Sequence, residues 1–284
     1  MRRISTGWRL AKDSWAVLVA DRSLAVFPVL SFVSAAVALT IFLAPGLAMG
    51  SPDEVTWPLA VGALVGSYLA TFCTIYFNVA LAGAARRSMA GEDTSLRDGL
   101  EVARERRGVI ARWALVQWAV GLVLHLLAPD DDDSVTGRIV GWAITRLLGA
   151  AWVLATFFVV PVLAFEGRTP GDAFKRSFAL VRERWGEGIA GNVGIGLAVT
   201  VIGGLPVLAL FGFAFLMADT STVLFVTFLG LAVLGAVGVS AVASALNVIF
   251  CVALYRYASY GTTTDGFATN DLTAAFVPKA RKRR

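Results

Sequence analysis

Residues 177–186 read SFALVRERWG. The stretch has an echo 78 positions earlier, LEVARERRG at 100–108, and a fainter one at 8–15, WRLAKDSW. Each stands before an apolar hairpin, and a charged amphipathic segment repeated in that place predicts a membrane protein built from three like units. Phe174, Phe178, Val181 and Trp185 recur at steps of 4, 3 and 4, as do Ile4, Trp8, Ala11 and Trp15. The large apolar side chains therefore share one helical face, opposite the arginines. Thr169-Pro170-Gly171-Asp172 supplies a helix start, with Thr as N-cap, Pro at the first helical position and a carboxylate beside the free amides. Such helices suit a membrane interface, with Trp at headgroup depth and Arg reaching phosphates. Packing of the helices against one another in the cytoplasm is the competing reading. The expected lipid-interface residues are Trp8, Trp15, Arg104, Arg106, Phe178, Arg182, Arg184 and Trp185.

Outward from these segments the chain is apolar: 57% of its 284 residues are hydrophobic and 16% charged, far from the balance of a water-soluble domain. Runs near the bilayer-spanning length of about 20 residues lie at Ser23–Gly50, Trp57–Ala82, Val109–Ala128, Ile139–Phe165, Ile189–Met217 and Thr222–Tyr255. Six transmembrane helices are expected. The first run is too long for the apolar core of a signal peptide, which holds about 7 to 15 residues, so it is taken as retained. In the fifth, Gly203-Gly204-Leu205-Pro206 predicts a kink or break.

Apart from Arg138 and Arg146, every Lys and Arg falls before the first span, in the second or fourth connection (with Arg112 just inside the third span), or after the sixth span. The other connections carry Asp53, Glu54, Asp130 to Asp133 and Asp219. By the positive-inside rule both termini are cytoplasmic, in the cell membrane. The net charge of +5 is thus a topological signal, and its expected partner is anionic lipid on the cytoplasmic face, not nucleic acid. A second copy of the chain or another membrane protein is a further candidate partner.

The copies align residue by residue. Leu96 pairs with Phe174, Arg97 with Lys175, Leu100 with Phe178, Arg104 with Arg182 and Gly108 with Gly186; in the first copy Trp8 pairs with Phe178 and Trp15 with Trp185. The ends of the even-numbered spans agree too: FNVAL at 77–81, VPVLA at 160–164 and FCVAL at 250–254. Three parallel pseudo-repeats follow, at about 1–82, 94–165 and 170–255, within one six-helix membrane domain over 1–260. Residues 261–284 form a polar to basic tail, either a short surface helix or disordered.

Chemistry has few footholds. Gly186-Glu187-Gly188-Ile189-Ala190-Gly191 fits GxGxxG, but it follows a charged helix and enters a span, where that pattern carries no nucleotide meaning. Gly62 and Gly66 form a GxxxG, a site of close helix approach within the chain or between copies. The intramembrane polar residues are Asn78, Gln117, His125, Arg146 and Asn192. A cluster of His125, Arg146 and Asp130 to Asp133 could form an outer vestibule; the plainer reading is a snorkelling Arg, a packed neutral His and a solvated acidic loop. Cys73 and Cys251 lie inside spans as packing residues. With one His and no nucleophile or metal motif, no enzyme activity, metal or cofactor is expected.

PVLAFEGRTPGDAFKRSFAL, residues 161–180, resembles a motif of a loose group of bacterial and archaeal multi-pass proteins, carried here by Pro161, Glu166, Gly167, Ala173, Arg176, Ser177 and Leu180. The group includes the membrane domain that accompanies some glycerophosphodiester phosphodiesterases and several families known only as domains of unknown function. FATNDLTAAFVPK at 267–279 resembles the end of one such uncharacterised prokaryotic family, which extends the similarity over nearly the whole chain. The resemblance implies an all-α, six-helix membrane fold without an assigned reaction, the phosphodiester chemistry belonging to a separate soluble domain. Glu166 at a span end is expected to pair with Lys175 or Arg176 and fix the amphipathic helix. The leading functional expectation is a non-catalytic membrane scaffold or assembly protein whose cytoplasmic helices bind anionic lipid. The alternative is a permease or lipid-handling transporter with its path between the repeats.

Overall fold

The computed structural model describes residues 12–49, 56–129, 135–185 and 203–260, and every element in them is helical. Helix α1 occupies 12–20, followed by a 3-10 turn at Arg22–Ala25. Then come α2 (Val26–Met49), α3 (Trp57–Ser88), α4 (Leu96–Glu105), α5 (Arg107–Leu126), α6 (Val135–Ala155), α7 (Val159–Glu166), α8 (Pro170–Trp185), α9 (Leu205–Met217) and α10 (Thr222–Tyr260).

Among the described residues five stretches are long and apolar enough to cross a membrane: Arg22–Ala48, Trp57–Ser88, Arg107–Leu126, Gly137–Glu166 and Thr222–Ser259. Of the fifth expected span, residues 189–202 lie outside the described residues; in the rest α9 has 13 residues, about 20 Å at 1.5 Å per residue. Gly203 and Gly204 are π-helical and lead directly into α9, with Pro206 as its second residue.

Runs of consecutive buried residues occur in α3, α7 and α10. Along α3 the stretch from Val79 to Ala85 is buried, along α7 Val159 and Val162 to Ala164, and along α10 Leu246 and Val248 to Tyr255. These include all of FCVAL, the last three residues of FNVAL and the last four of VPVLA. Elsewhere the apolar flanks are uncovered, only 6 to 33% of each spanning window being buried, as expected of surfaces that face lipid tails.

The chain divides into two compact units, one of Met1–Phe32, Ala84–Leu96 and Arg184–Arg284, the other of Val33–Gly83 and Arg97–Glu183. In the first, α9 packs along α10, and the 3-10 turn also rests on α10. Asp21 organises that turn: its carboxylate accepts from the Ser23 amide (3.0 Å) and hydroxyl (2.6 Å) and from the Thr94 hydroxyl. In the second unit α2 and α3 approach at glycines. A Cβ on Gly62 would lie 2.1 Å from the Phe42 carbonyl oxygen, and one on Gly46 2.5 Å from Leu59 Cα. Gly62 and Gly66 thus serve packing within the chain. Tyr68 donates to the Ala111 carbonyl (3.3 Å) and Trp118 Nε1 to Ser67 Oγ (2.9 Å), which ties α3 to α5.

Candidate functional site

The built site lies in the second unit, where the helix of the expected fourth span breaks between α6 and α7 at Thr156–Phe158. Pro161 explains the break: it cannot donate to the Phe157 carbonyl, and its ring crowds that oxygen. The Val159 amide turns back to Thr156 instead, leaving the Ala155 carbonyl and the Phe158 amide without helical partners. Both are satisfied by one hydroxyl from α8. Ser177 Oγ, fully buried, donates to the Ala155 oxygen at 2.8 Å and accepts from the Phe158 amide at 3.0 Å.

Several contacts set Ser177 in place. Thr169 caps α8 with a box, its Oγ accepting from the Asp172 amide (3.4 Å) and donating to the Asp172 carboxylate (2.7 Å). Ala173, Ser177, Leu180 and Val181 form the buried stripe of α8. Of the expected stripe of large side chains Val181 is buried, Phe174 half-buried and Phe178 exposed, while the small Ala173 and Ser177 face the break. Trp113, Trp152, Phe174 and Phe178 stack in sequence at 6.0, 5.7 and 6.4 Å between centroids, binding α5, α6 and α8. Glu166 at the end of α7 accepts from Arg176 of α8 at 3.4 Å and from Arg168. Lys175 is exposed. Gly167 caps α7 at φ +59°, and a Cβ there would meet Arg106 Nη1 at 2.4 Å. The Arg106 guanidinium therefore lies against a helix C-terminus, where a cation is favoured. The positions that carry the motif at 161–180 all fall in this break and its latch.

A second feature lies beside α4. Tyr76, Arg97, Leu100, Glu101, Arg104, Glu105 and Arg107 line an open cavity of about 1070 Å³. Gly99 and Ala103 form the buried face of α4, and Val102 would touch a Cβ on Gly83 at 3.0 Å, so α4 docks by small residues and leaves Arg97, Glu101, Arg104 and Glu105 exposed. Periodicity alone missed this groove; the signal for it is the mixed sign of charge at 97, 101, 104, 105 and 107.

The other expected site residues are scattered. Trp15, Arg104 and Arg182 are exposed, whereas Arg106 is half-buried against Gly167 at the end of α7. Trp8, Asn192 and the side chains of Arg184 and Trp185 lie outside the described residues. Gln117 accepts from Trp152 Nε1 at 3.0 Å, and Asn78 is half-buried on α3. His125 is exposed at the end of α5; Arg146 is exposed, its guanidinium 5.3 Å above the Trp142 ring. Asp130 to Asp133 lie outside the described residues, among which no group of three or more potential metal ligands occurs.

A family model described as a family of unknown function, DUF6159, matches residues 60–267, which take in α3 to α10 with both the break and the α4 groove. The chain belongs to that family. No curated protein and no solved structure matches it significantly. In DUF6159 terms, the latch at 155–180 and the groove at 76–107 both lie inside the defining region.

Proposed function

We propose that this DUF6159 member is a non-catalytic membrane scaffold that holds anionic lipid at the cytoplasmic surface through its amphipathic helices. One observation carries the reading: in the second unit α4 and α8 dock beside the buried runs of α3 and α7, while Arg104 and Arg182 are exposed and most of each spanning window stays bare. The buried faces of the two helices hold them down and leave Arg104 and Arg182 exposed for phosphates. On this reading both termini and all the amphipathic helices are cytoplasmic, and the chain crosses the cell membrane six times as three parallel units. The likeness to the phosphodiesterase-associated membrane domain belongs to the same reading.

Burial supports the repeats and shifts one register. Ser14, Val17 and Leu18 of α1 are buried like Ser177, Leu180 and Val181 of α8, and like Gly99 and Ala103 of α4. That pairs KDSWAVL at 12–18 with KRSFALV at 175–181 and RDGLEVA at 97–103, seven residues later in the first copy than the pairing of Trp8 with Phe178. Each amphipathic helix then serves the hairpin before it, α4 on α3 and α8 on α5 to α7, with the turn after α1 resting on α10.

The test is binding of the full chain, reconstituted in vesicles of varied anionic content, to soluble anionic-lipid reporters. Retention should rise with anionic lipid, weaken with salt, and fall in R104E/R182E. Indifference to all three sinks the scaffold reading. The break at Thr156–Phe158 favours a second reading, a permease or lipid-handling transporter in which α8 releases the break to open a path between repeats. Solute flux in proteoliposomes that is lost when 155 and 177 are cross-linked would support it over the scaffold.

A further inference from the structure

The α4 groove carries charge of both signs, left apart. On a helix Glu101 has Arg97 four residues before it and Arg104 three after, spacings at which opposite charges ordinarily pair. Yet Arg97, Glu101, Arg104, Glu105 and Arg107, all exposed, make no ion pair among the described residues, and they line one cavity of about 1070 Å³. A purely anionic ligand there meets two carboxylates. A purely cationic one meets three guanidiniums. A ligand with a phosphate and an ammonium satisfies both sets, with arginine forks on the phosphate oxygens and carboxylates accepting from the ammonium.

The groove also lies at the right depth. Tyr76 stands 19 residues along α3 from Trp57, about 28 Å at 1.5 Å per residue, close to the roughly 30 Å of a hydrocarbon core. Tyr76 and Leu100 give the cavity an apolar side for a glycerol backbone or the root of an acyl chain. We propose that the α4 groove binds a zwitterionic phosphate–ammonium headgroup whose ammonium keeps its N–H donors, as in phosphatidylethanolamine. The inference rests on the placement of α4 at the membrane surface proposed above. It names a lipid class that the anionic-lipid reading does not.

The experiment titrates the detergent-solubilised full chain with short-chain phosphatidylethanolamine, phosphatidylcholine and phosphatidylglycerol, and with soluble glycerophosphoethanolamine, by calorimetry. The ethanolamine lipid should bind about tenfold more tightly than either other lipid, since methylated choline offers no N–H and glycerol no charge. E101Q/E105Q should erase that preference and R104Q should weaken all four phosphate ligands, each with unchanged helicity. Soluble headgroup binding as tightly as the lipid identifies a free metabolite as the source, and weaker binding identifies the bilayer; either supports the chemistry. Phosphatidylglycerol binding as well as or better than the ethanolamine lipid overturns it, and so does E101Q/E105Q with the preference intact. Both results leave the anionic-lipid scaffold standing, whereas loss of salt and anionic-lipid dependence with ethanolamine selectivity retained removes the scaffold alone.

Discussion

Two buried serines carry opposite expectations. Ser177 Oγ bonds two backbone groups freed by the break, so Ser177→Ala strands a carbonyl and an amide in a dry site. The expected loss is about 1–3 kcal/mol, read as a lowered thermal midpoint in detergent. Ser14 is as fully buried, yet its Oγ has no partner among the described residues. Removing an unsatisfied hydroxyl relieves its desolvation cost, so Ser14→Ala should leave the midpoint unchanged or raise it. Equal destabilisation by the two changes would refute the distinction. At Gly167 the backbone is left-handed and the Arg106 guanidinium fills the space of a Cβ. Gly167→Ala should cost at least the 1–2 kcal/mol or so of left-handed strain and displace Arg106; Gly171→Ala, with open space around it and φ outside the left-handed region, is its matched control.

At the scale of elements, the break depends on Pro161, which stands where the matching motifs have Asn78 and Cys251; α3 and α10 run unbroken through those positions. Pro161→Ala restores a donor to the Phe157 carbonyl and lets α6 and α7 join, after which Ser177 has nothing to bridge. The double-mutant cycle should therefore show Ser177→Ala costing less in the Pro161→Ala background than alone, and additive thermal shifts would exclude the coupling. These elements also mark how far the sequence could be read. The start of α8 is written in Thr169 to Asp172, because a cap is local chemistry. The break was not expected, since a proline within an apolar run says nothing of which side chain repairs it. On the three-unit reading proposed above, the register of the first copy was equally hidden: positions 8 and 15 are seven residues apart, close to two helical turns with a drift of about 20°, so periodicity cannot choose between them, and the burial of Ser14 favours the later one.

For the whole molecule, the apolar lengths of five stretches were legible from composition, because lipid sets a minimum span, while the course of the chain between α8 and α9 was not. Arg182 and Asp219 flank that interval, and both are exposed. Single cysteines placed at 97, 182 and 219, in a chain whose own Cys73 and Cys251 are replaced, report the side of the membrane each occupies when treated with an impermeant maleimide. Positions 97 and 182 should label only after the membrane is opened, and position 219 in intact cells. Because 182 and 219 are joined by one continuous segment, labelling from opposite sides requires an odd number of crossings between them; with α9 alone about 20 Å long, residues upstream of Gly203 must complete the span. Labelling of 182 and 219 from the same side would leave α9 as a re-entrant or surface helix and reduce the three hairpins to two. It would also place the end of α10 opposite to the amphipathic helices, removing the shared cytoplasmic surface on which the lipid-binding reading rests.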